Sequence, residues 1–343
     1  MSRTLALVES PAQLLNLLEW VLGERRGMAD PGSLDVAVLL PLDGSTRRQL
    51  DAMVSIARRA EGVGVSVHDI RRSPVSLARS VAALAPKLAR AGRLVIGDPF
   101  SGLIQRLLPL SRAQDVVLVD DGTATLELSA QLLAGAPLVR WHRTGRAPRA
   151  AVRAARRLTP GHGRRLEVFS SLATDLRLPP GGVASVNGYT WIRSSYGPPQ
   201  VLPGVDLVGT SLAETGLVSV ERYVAEVAAL AGAYGVGRYL AHRREDPAKL
   251  ARIAAASGLE IVSPALPLEL ALRSGPVART VVSFPSTVVH TLPTVLEGTG
   301  VEIVLHDSVQ SWLLPGTSDR AAAFLSEVTT TARSRHHLSA LGG

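Results

Sequence analysis

RLVIGDPFSGLIQRLLPLSRAQDVVLVDDG, residues 93–122, decides the fold. Two short apolar runs, LVI and VVLV, each end in acids and turn formers: Asp98-Pro99 in the first, Asp120-Asp121-Gly122 in the second. Between them lies room for one short helix. Working outward, the same unit recurs. TLALVES (4–10), LDVAVLLP (34–41) and VSVHDI (65–70) are apolar runs, separated by helical spacing near residues 14–21, 49–59 and 77–89. Short apolar strands alternating with amphipathic helices predict a parallel sheet covered on both faces. Ligands of such sheets sit beyond the carboxyl ends of the strands, where the polar residues fall here.

From about 159 to 203 the rhythm is broken by LTPGHG, LPPGG and YGPPQ, a density of Gly and Pro that marks loops. LEVFSSL (166–172) and GVASVNGY (182–189) remain possible strands inside it. Afterwards VDLVGTSL (205–212), GRYLAHR (237–243), LEIVSP (259–264), TVVSFPST (280–287) and VEIVLH (301–306) repeat the alternation. The expected organisation is a first Rossmann-like domain over 1–160 and a Pro/Gly-rich connection over 161–203. A second Rossmann-like domain over 204–330 and a basic tail over 331–343 complete it. In this α/β arrangement the two domains are expected to face a common cleft.

The chain of 343 residues contains no cysteine, which excludes disulfides, thiolate nucleophiles and Cys-ligated zinc. No apolar run approaches the roughly 18–20 residues that span a bilayer. A cytoplasmic protein, with peripheral contact to the inner membrane face, is the expectation. The formal net charge of +8 favours an anionic partner. Residues 140–165 hold nine arginines and no acid. Arg153, Arg156 and Arg157 in this stretch are candidates for holding an anionic acceptor or anionic lipid; a solvated basic helix is the plainer alternative. With Trp141 as the one stacking aromatic there, nucleic acid is not the expected partner. G-x-G-x-x-G after the first strand, a Walker A loop and HExxH are all absent, which disfavours nicotinamide, P-loop and zinc-protease chemistry.

Three strand-end loops carry reactive side chains. Asp120 and Asp121 would repel each other, so that one keeps a raised pKa and serves as a base, while Gly122 permits a tight turn. The alternative is an N-cap for the helix that follows. His242, followed by Arg243, Arg244 and Glu245, can donate to a departing phosphate, or be an exposed basic loop. Ser286 and Thr287, before an apolar helix, offer hydroxyls and N–H groups to a phosphate, or a simple cap.

Asp120-Asp121-Gly122, His242-Arg243 and Ser286-Thr287 resemble, in order, the D/E-D/E-G, HP and S-S/T motifs of the bacterial sialyltransferases and polysialyltransferases of GT-B fold. VESPAQLLNLLEW and VGTSLAETGLVSVERY also look like stretches of polysialyltransferase-like proteins, so the resemblance spans most of the chain. It departs at Arg243, where the motif has proline. The resemblance implies an inverting, metal-independent transfer of a sialic-acid-type sugar from a CMP donor to a glycan acceptor, with no cofactor. Asp120 would take the acceptor proton and Asp121 organise its loop. His242 would assist CMP departure, and Ser286 and Thr287 would hold the phosphate oxygens. Arg243 and Glu245 are further donor-side candidates, Glu245 toward cytidine or its ribose. Ser10, Gln13, Asp98 and Ser101 are cleft candidates, and Glu214 a helix-entry charge. The alternatives are another GT-B enzyme, a UDP-sugar transferase or epimerase, or a non-catalytic anion- or nucleic-acid-binding protein.

Overall fold

The computed structural model describes residues 3–23, 34–119, 123–140, 143, 145–336 and 338–340. The chain divides into two compact units, Met1–Trp191 and Ile192–Gly343. Each is built on its own sheet, seven-stranded in the first and six-stranded in the second.

In the first unit the strands are β1 (Thr4–Val8), β2 (Leu34–Leu39), β3 (Val63–His68), β4 (Arg93–Ile96), β5 (Asp115–Val119), β6 (Arg165–Ser170) and β7 (Gly182–Val186). They lie in the order β3-β2-β1-β4-β5-β6-β7, and their pairings are parallel. The helices are α1 (Pro11–Leu18), α2 (Gly44–Ala57), α3 (Pro74–Arg90), α4 (Gly102–Leu107), α5 (Thr123–Leu133) and α6 (Arg149–Leu158). The strand order reverses after β3. Right-handed crossovers therefore put α1 and α2 on one face and α3 to α6 on the other. The core agrees: alternate strand residues Leu5, Leu7, Leu94, Ile96, Val116 and Leu118 pack with Leu84, Leu88, Ile104, Leu107, Leu128, Leu132, Ala154 and Leu158. The two strands at the reversal, β1 and β4, are neighbours, and the crevice at their carboxyl ends is where such sheets bind ligands.

The second unit follows α7 (Thr190–Ser195), within which the division falls. Its strands β8 (Val201–Val208), β9 (Val236–Leu240), β10 (Glu260–Val262), β11 (Val277–Ser283), β12 (Glu302–Leu305) and β13 (Ser339–Ala340) take the order β10-β9-β8-β11-β12-β13, with the reversal between β8 and β11. Helices α8 (Val220–Tyr234), α9 (Pro247–Ser257), α10 (Leu268–Ser274), α11 (Val288–Val295) and α12 (Asp319–His336) connect or flank them. Capping explains the limits of α8 and α9. Ser219 and Asp246 accept N–H groups of the first turns, and Gly235 and Gly258 close the helices at φ 61° and 71°. Buried Asp206 receives Arg238 through both carboxylate oxygens, at 2.8 and 2.6 Å, and the Ala278 N–H at 2.8 Å. It thus ties β9 and β11 to β8 where the pairing of β8 with each shifts register.

Two boundaries differ from the expectation. Segment 161–203 supplies β6 and β7 to the first sheet and the start of β8 to the second. Its glycines and prolines mark the turns between strands, as at Pro179, whose carbonyl accepts the Gly182 N–H at 2.9 Å. The chain beyond β7 stays fastened to the first unit. Asn187 Nδ2 donates to Asn16 Oδ1 at 3.1 Å, and the Trp191 N–H donates to Glu19 Oε2 at 2.9 Å. Residues 331–336 of the expected basic tail are the last turns of α12, where Ala332 is fully buried.

Candidate functional site

At the carboxyl edge of the second sheet, four successive loops follow β8, β9, β11 and β12. The loop after β9 carries His242, half-buried. Burial pushes its pKa down to about 3, and the charges of Arg243, Arg244 and Lys249 add to the effect. The Arg244 N–H donates to His242 Nδ1 at 3.2 Å. A neutral ring that accepts at Nδ1 carries its proton on Nε2, so His242 offers an N–H donor rather than a positive charge.

His242 is held from beneath. Glu245 Oε2 accepts the His242 N–H at 2.6 Å, while Oε1 accepts the Tyr239 hydroxyl at 2.6 Å and lies 2.9 Å from Lys249 Nζ. Lys249 Nζ also lies 3.0 Å from Glu214, donates to the Thr210 carbonyl at 3.1 Å, and sits 4.2 Å from the centre of the Tyr223 ring. The Tyr223 and Tyr239 hydroxyls are 2.9 Å apart, and Tyr223 accepts the Thr210 N–H at 3.0 Å. This network joins β8, α8, β9 and α9. It needs Gly209, because a Cβ there would lie 2.3 Å from Glu245 Oε2 and 2.4 Å from the Tyr239 hydroxyl. Glu245 therefore differs from the expectation of a cytidine contact. Its carboxylate is buried and both oxygens are engaged within the protein, and burial raises its pKa against the lowering pull of Lys249. Glu214 is likewise more than a helix-entry charge, since it pairs Lys249 and accepts the Asp246 N–H at 2.9 Å.

The loop after β11 contains Ser286 and Thr287. Thr287 occupies the N-cap position of α11 in helical conformation and makes no side-chain capping bond. Ser286 Oγ is buried without a hydrogen-bond partner. The simple-cap alternative is therefore not what this loop does. Behind it, Phe284 packs on Tyr223, Trp312 and His306 with ring centres 5.7, 5.3 and 5.8 Å apart. In a chain with four phenylalanines and four tryptophans, this cluster concentrates scarce rigid side chains under the loops after β11 and β12. Arg243 is half-buried beside His242, and Arg244 is exposed.

In the first unit, Asp120, Asp121 and Gly122 fall between β5 and α5 and lie outside the described residues. Ser10 caps α1, accepting the Gln13 N–H at 3.2 Å, and Ser101 caps α4, accepting the Ile104 N–H at 3.4 Å. Gln13 Oε1 accepts the Glu9 N–H at 2.8 Å, and its side chain covers Gly97, where a Cβ would come within 2.3 Å of Oε1. Asp98 accepts the Phe100 N–H at 2.8 Å and pairs with Arg140 at 2.6 Å. These four residues do meet at the β1/β4 reversal, around a carboxylate the sequence reading passed over. Glu9 is nearly buried, pairs with Arg71 and hydrogen-bonds Ser101; burial raises its pKa and nearby Asp98 adds to this. The signal for Glu9 was its place at the end of the central strand; nothing local pointed to Arg71. Of the arginine candidates, Arg153 and Arg156 are exposed, but Arg157 turns inward and donates to the Ala113 carbonyl. Among the described residues no group of three or more His, Cys, Asp or Glu is arranged to hold a metal ion.

No protein-family model and no curated protein matches the chain. Solved structures do. An alpha/beta-galactoside alpha-2,3-sialyltransferase of Photobacterium phosphoreum is 9% identical with a TM-score of 0.53, covering 99% of this chain and 98% of its own. LpCGTa, in complex with UDP, is 14% identical with a TM-score of 0.50, covering 97% and 94%. A protein described as a UDP-N-acetylglucosamine 2-epimerase from Listeria monocytogenes is 12% identical with a TM-score of 0.51, covering 88% and 78%. At these identities the likeness concerns fold, and with the two parallel-sheet units it makes the fold of this chain GT-B.

Proposed function

We propose that the chain is a glycosyltransferase that moves a sialic-acid-type sugar from a CMP donor to a glycan acceptor with inversion and without a metal. The observation that carries the reading is the pairing, on one sheet edge, of a neutral His242 with an Nε2–H donor and a loop in which the buried Ser286 Oγ has no hydrogen-bond partner. Both suit a phosphate monoester leaving group, whose developing charge is met by fixed donors. In the proposed reaction Asp120 takes the proton of the acceptor hydroxyl and the oxygen attacks the anomeric carbon. The bond from that carbon to the CMP oxygen breaks, and the electron pair leaves with CMP. His242 donates to a departing phosphate oxygen without giving up its proton. Ser286 and Thr287 hold the remaining oxygens, and Arg243 adds positive charge. Glu245 acts through His242, as a positioning residue. Likeness over nearly the full length to a sialyltransferase supports the choice of donor.

The second reading is an enzyme of UDP-sugars, favoured by the UDP complex and the epimerase among the similar structures. Calorimetric titration with CMP, CMP-sialic acid and UDP in EDTA separates the two. Saturable cytidine binding that weakens about tenfold or more in Ser286→Ala/Thr287→Ala, with transfer lost in Asp120→Asn, is the expected result. Preference for UDP, or turnover of UDP-N-acetylglucosamine, replaces the sialyl reading with the second.

A further inference from the structure

We infer that the first unit docks on an anionic lipid surface through the helical layer formed by α3, α4 and α6. These helices cover one face of the first sheet, and the 3₁₀ turn Leu108–Leu110 between them touches all three. None of the three helices, nor this turn, contains an Asp or Glu. Arg79, Arg90, Arg106, Arg149, Arg153 and Arg156 are exposed on them, and among the described residues none of these forms an ion pair. The one acid in neighbouring α5, Glu127, is buried.

Arginine richness alone does not explain this. The acids are missing as well, whereas α8 carries them: there Arg222 pairs with Glu226 at 2.5 Å, and Glu221 holds Arg252 at 3.1 Å. The layer also exposes aliphatic side chains. Val75 and Leu77 at the start of α3, Leu110 in the central turn and Leu133 at the end of α5 are 67%, 39%, 38% and 51% exposed. They are four of the nine large apolar side chains so exposed among the described residues, and none of the nine is aromatic. Nucleic acid would use the arginines and stacking aromatics, and would gain nothing from leucines. A bilayer with anionic headgroups uses both: arginines meet the phosphates while leucines enter the interface. No helix of the described residues is long and apolar enough to cross a membrane, so contact through this face is peripheral.

The test is co-sedimentation of the full chain with vesicles of phosphatidylcholine alone and of phosphatidylcholine with phosphatidylglycerol, over a range of salt. It does not depend on the donor. Binding is expected to the anionic vesicles only, falling as salt rises. Arg153→Glu/Arg156→Glu should reduce it tenfold or more, since each arginine near an anionic surface is worth a factor of about five. Leu77→Ser/Leu110→Ser should reduce vesicle binding several-fold at constant salt and leave heparin and DNA binding unchanged. Circular dichroism confirms that both variants are folded. Absence of binding to anionic vesicles overturns the inference. So does equal retention on DNA or heparin together with indifference of vesicle binding to the leucine changes, which would make the layer a general polyanion site.

Discussion

Glu245 Oε2 accepts the main-chain N–H of His242 at 2.6 Å, and the other oxygen of the same carboxylate is pinned by Tyr239 and Lys249. The turn after β9 is thus fixed by a buried carboxylate at the position where the resembling motif has a proline and this chain has Arg243. Glu245→Gln cannot serve both sides, because its amide presents an NH₂ to one set of donors. The expected result is a folded protein with a disordered His242 turn and kcat lowered more than KM. Breaking the pair from the other side, Lys249→Met, leaves Glu245 buried without its cation and should cost about 3–5 kcal/mol. Urea unfolding measures the second, and steady-state kinetics the first. A Glu245→Gln enzyme with unchanged kcat would remove Glu245 from the positioning of His242.

The protonation of His242 has a definite sign. Its pKa in the folded chain, about 3, lies below its ordinary value, so the unfolded chain binds the proton more readily. The stability this group contributes is complete above pH 6.5 and is lost as pH falls toward 3. Buried His290, pushed down to about 4, acts in the same direction. The measurement is therefore a difference: unfolding free energy against pH for the wild type and for His242→Gln. The wild-type slope between pH 3.5 and 6 should be the steeper. The His242 ring resonances should not titrate between pH 5 and 8. A midpoint near 6.5 would make the residue a cation-forming acid and not a neutral donor.

Gly209 is an independent probe of the same network from the β8 side. A methyl group there meets Glu245 Oε2 and the Tyr239 hydroxyl at distances no real contact reaches. Both are buried and hydrogen-bonded to each other's carboxylate or hydroxyl, so neither can swing into solvent. Gly209→Ala should destabilise the second unit by about 1–3 kcal/mol and reduce donor affinity, as overpacking does. Gly232→Ala, in α8 with nothing within 4 Å, is the control and should be neutral or slightly stabilising. Equal behaviour of the two variants would show that the network yields without loss.

The strands most legible in the sequence are those covered on both faces, such as TLALV and DVVLV, whose residues are nearly all buried. The edge strands β3 and β10 were found from their apolar runs although none of their residues is fully buried. β7, also an edge strand, was obscure because GVASV is flanked by Pro and Gly as well as lacking a fully buried residue. His242 and Ser286–Thr287 were visible as polar residues directly after apolar runs. Their supports were not. Tyr239 and Glu245 are six residues apart, but Lys249 reaches back 39 residues to Thr210, and Arg71 reaches 62 to Glu9. Contacts of that separation depend on which strands become neighbours. The order β10-β9-β8-β11 cannot be read from runs of apolar residues. The pair Glu245 and Lys249, four apart at the start of a helix, was the one local trace of the network.

Glu9 and Arg71 form the corresponding contact of the first unit, partly buried, at the end of its central strand. Arg71 also donates to the carbonyls of Leu39 and Leu40, at 3.4 and 3.0 Å, so it ties the ends of β1 and β2 together. Burial already raises the Glu9 pKa, and Arg71 limits the rise. A carboxyl whose folded pKa is raised holds its proton longer in the folded chain, so stability falls as pH climbs from the ordinary value to the folded one. Arg71→Met removes the opposing charge and extends that window upward. The variant should lose about 3 kcal/mol near pH 7 and distinctly less near pH 3.5, below the ordinary carboxyl value, where Glu9 is largely protonated in both states. Thermal unfolding at the two pH values measures the difference, with Glu9→Gln/Arg71→Met expected to recover most of the loss at pH 7. A loss equal at both pH values, not recovered in the double variant, would mean that Arg71 acts only through the Leu39 and Leu40 carbonyls.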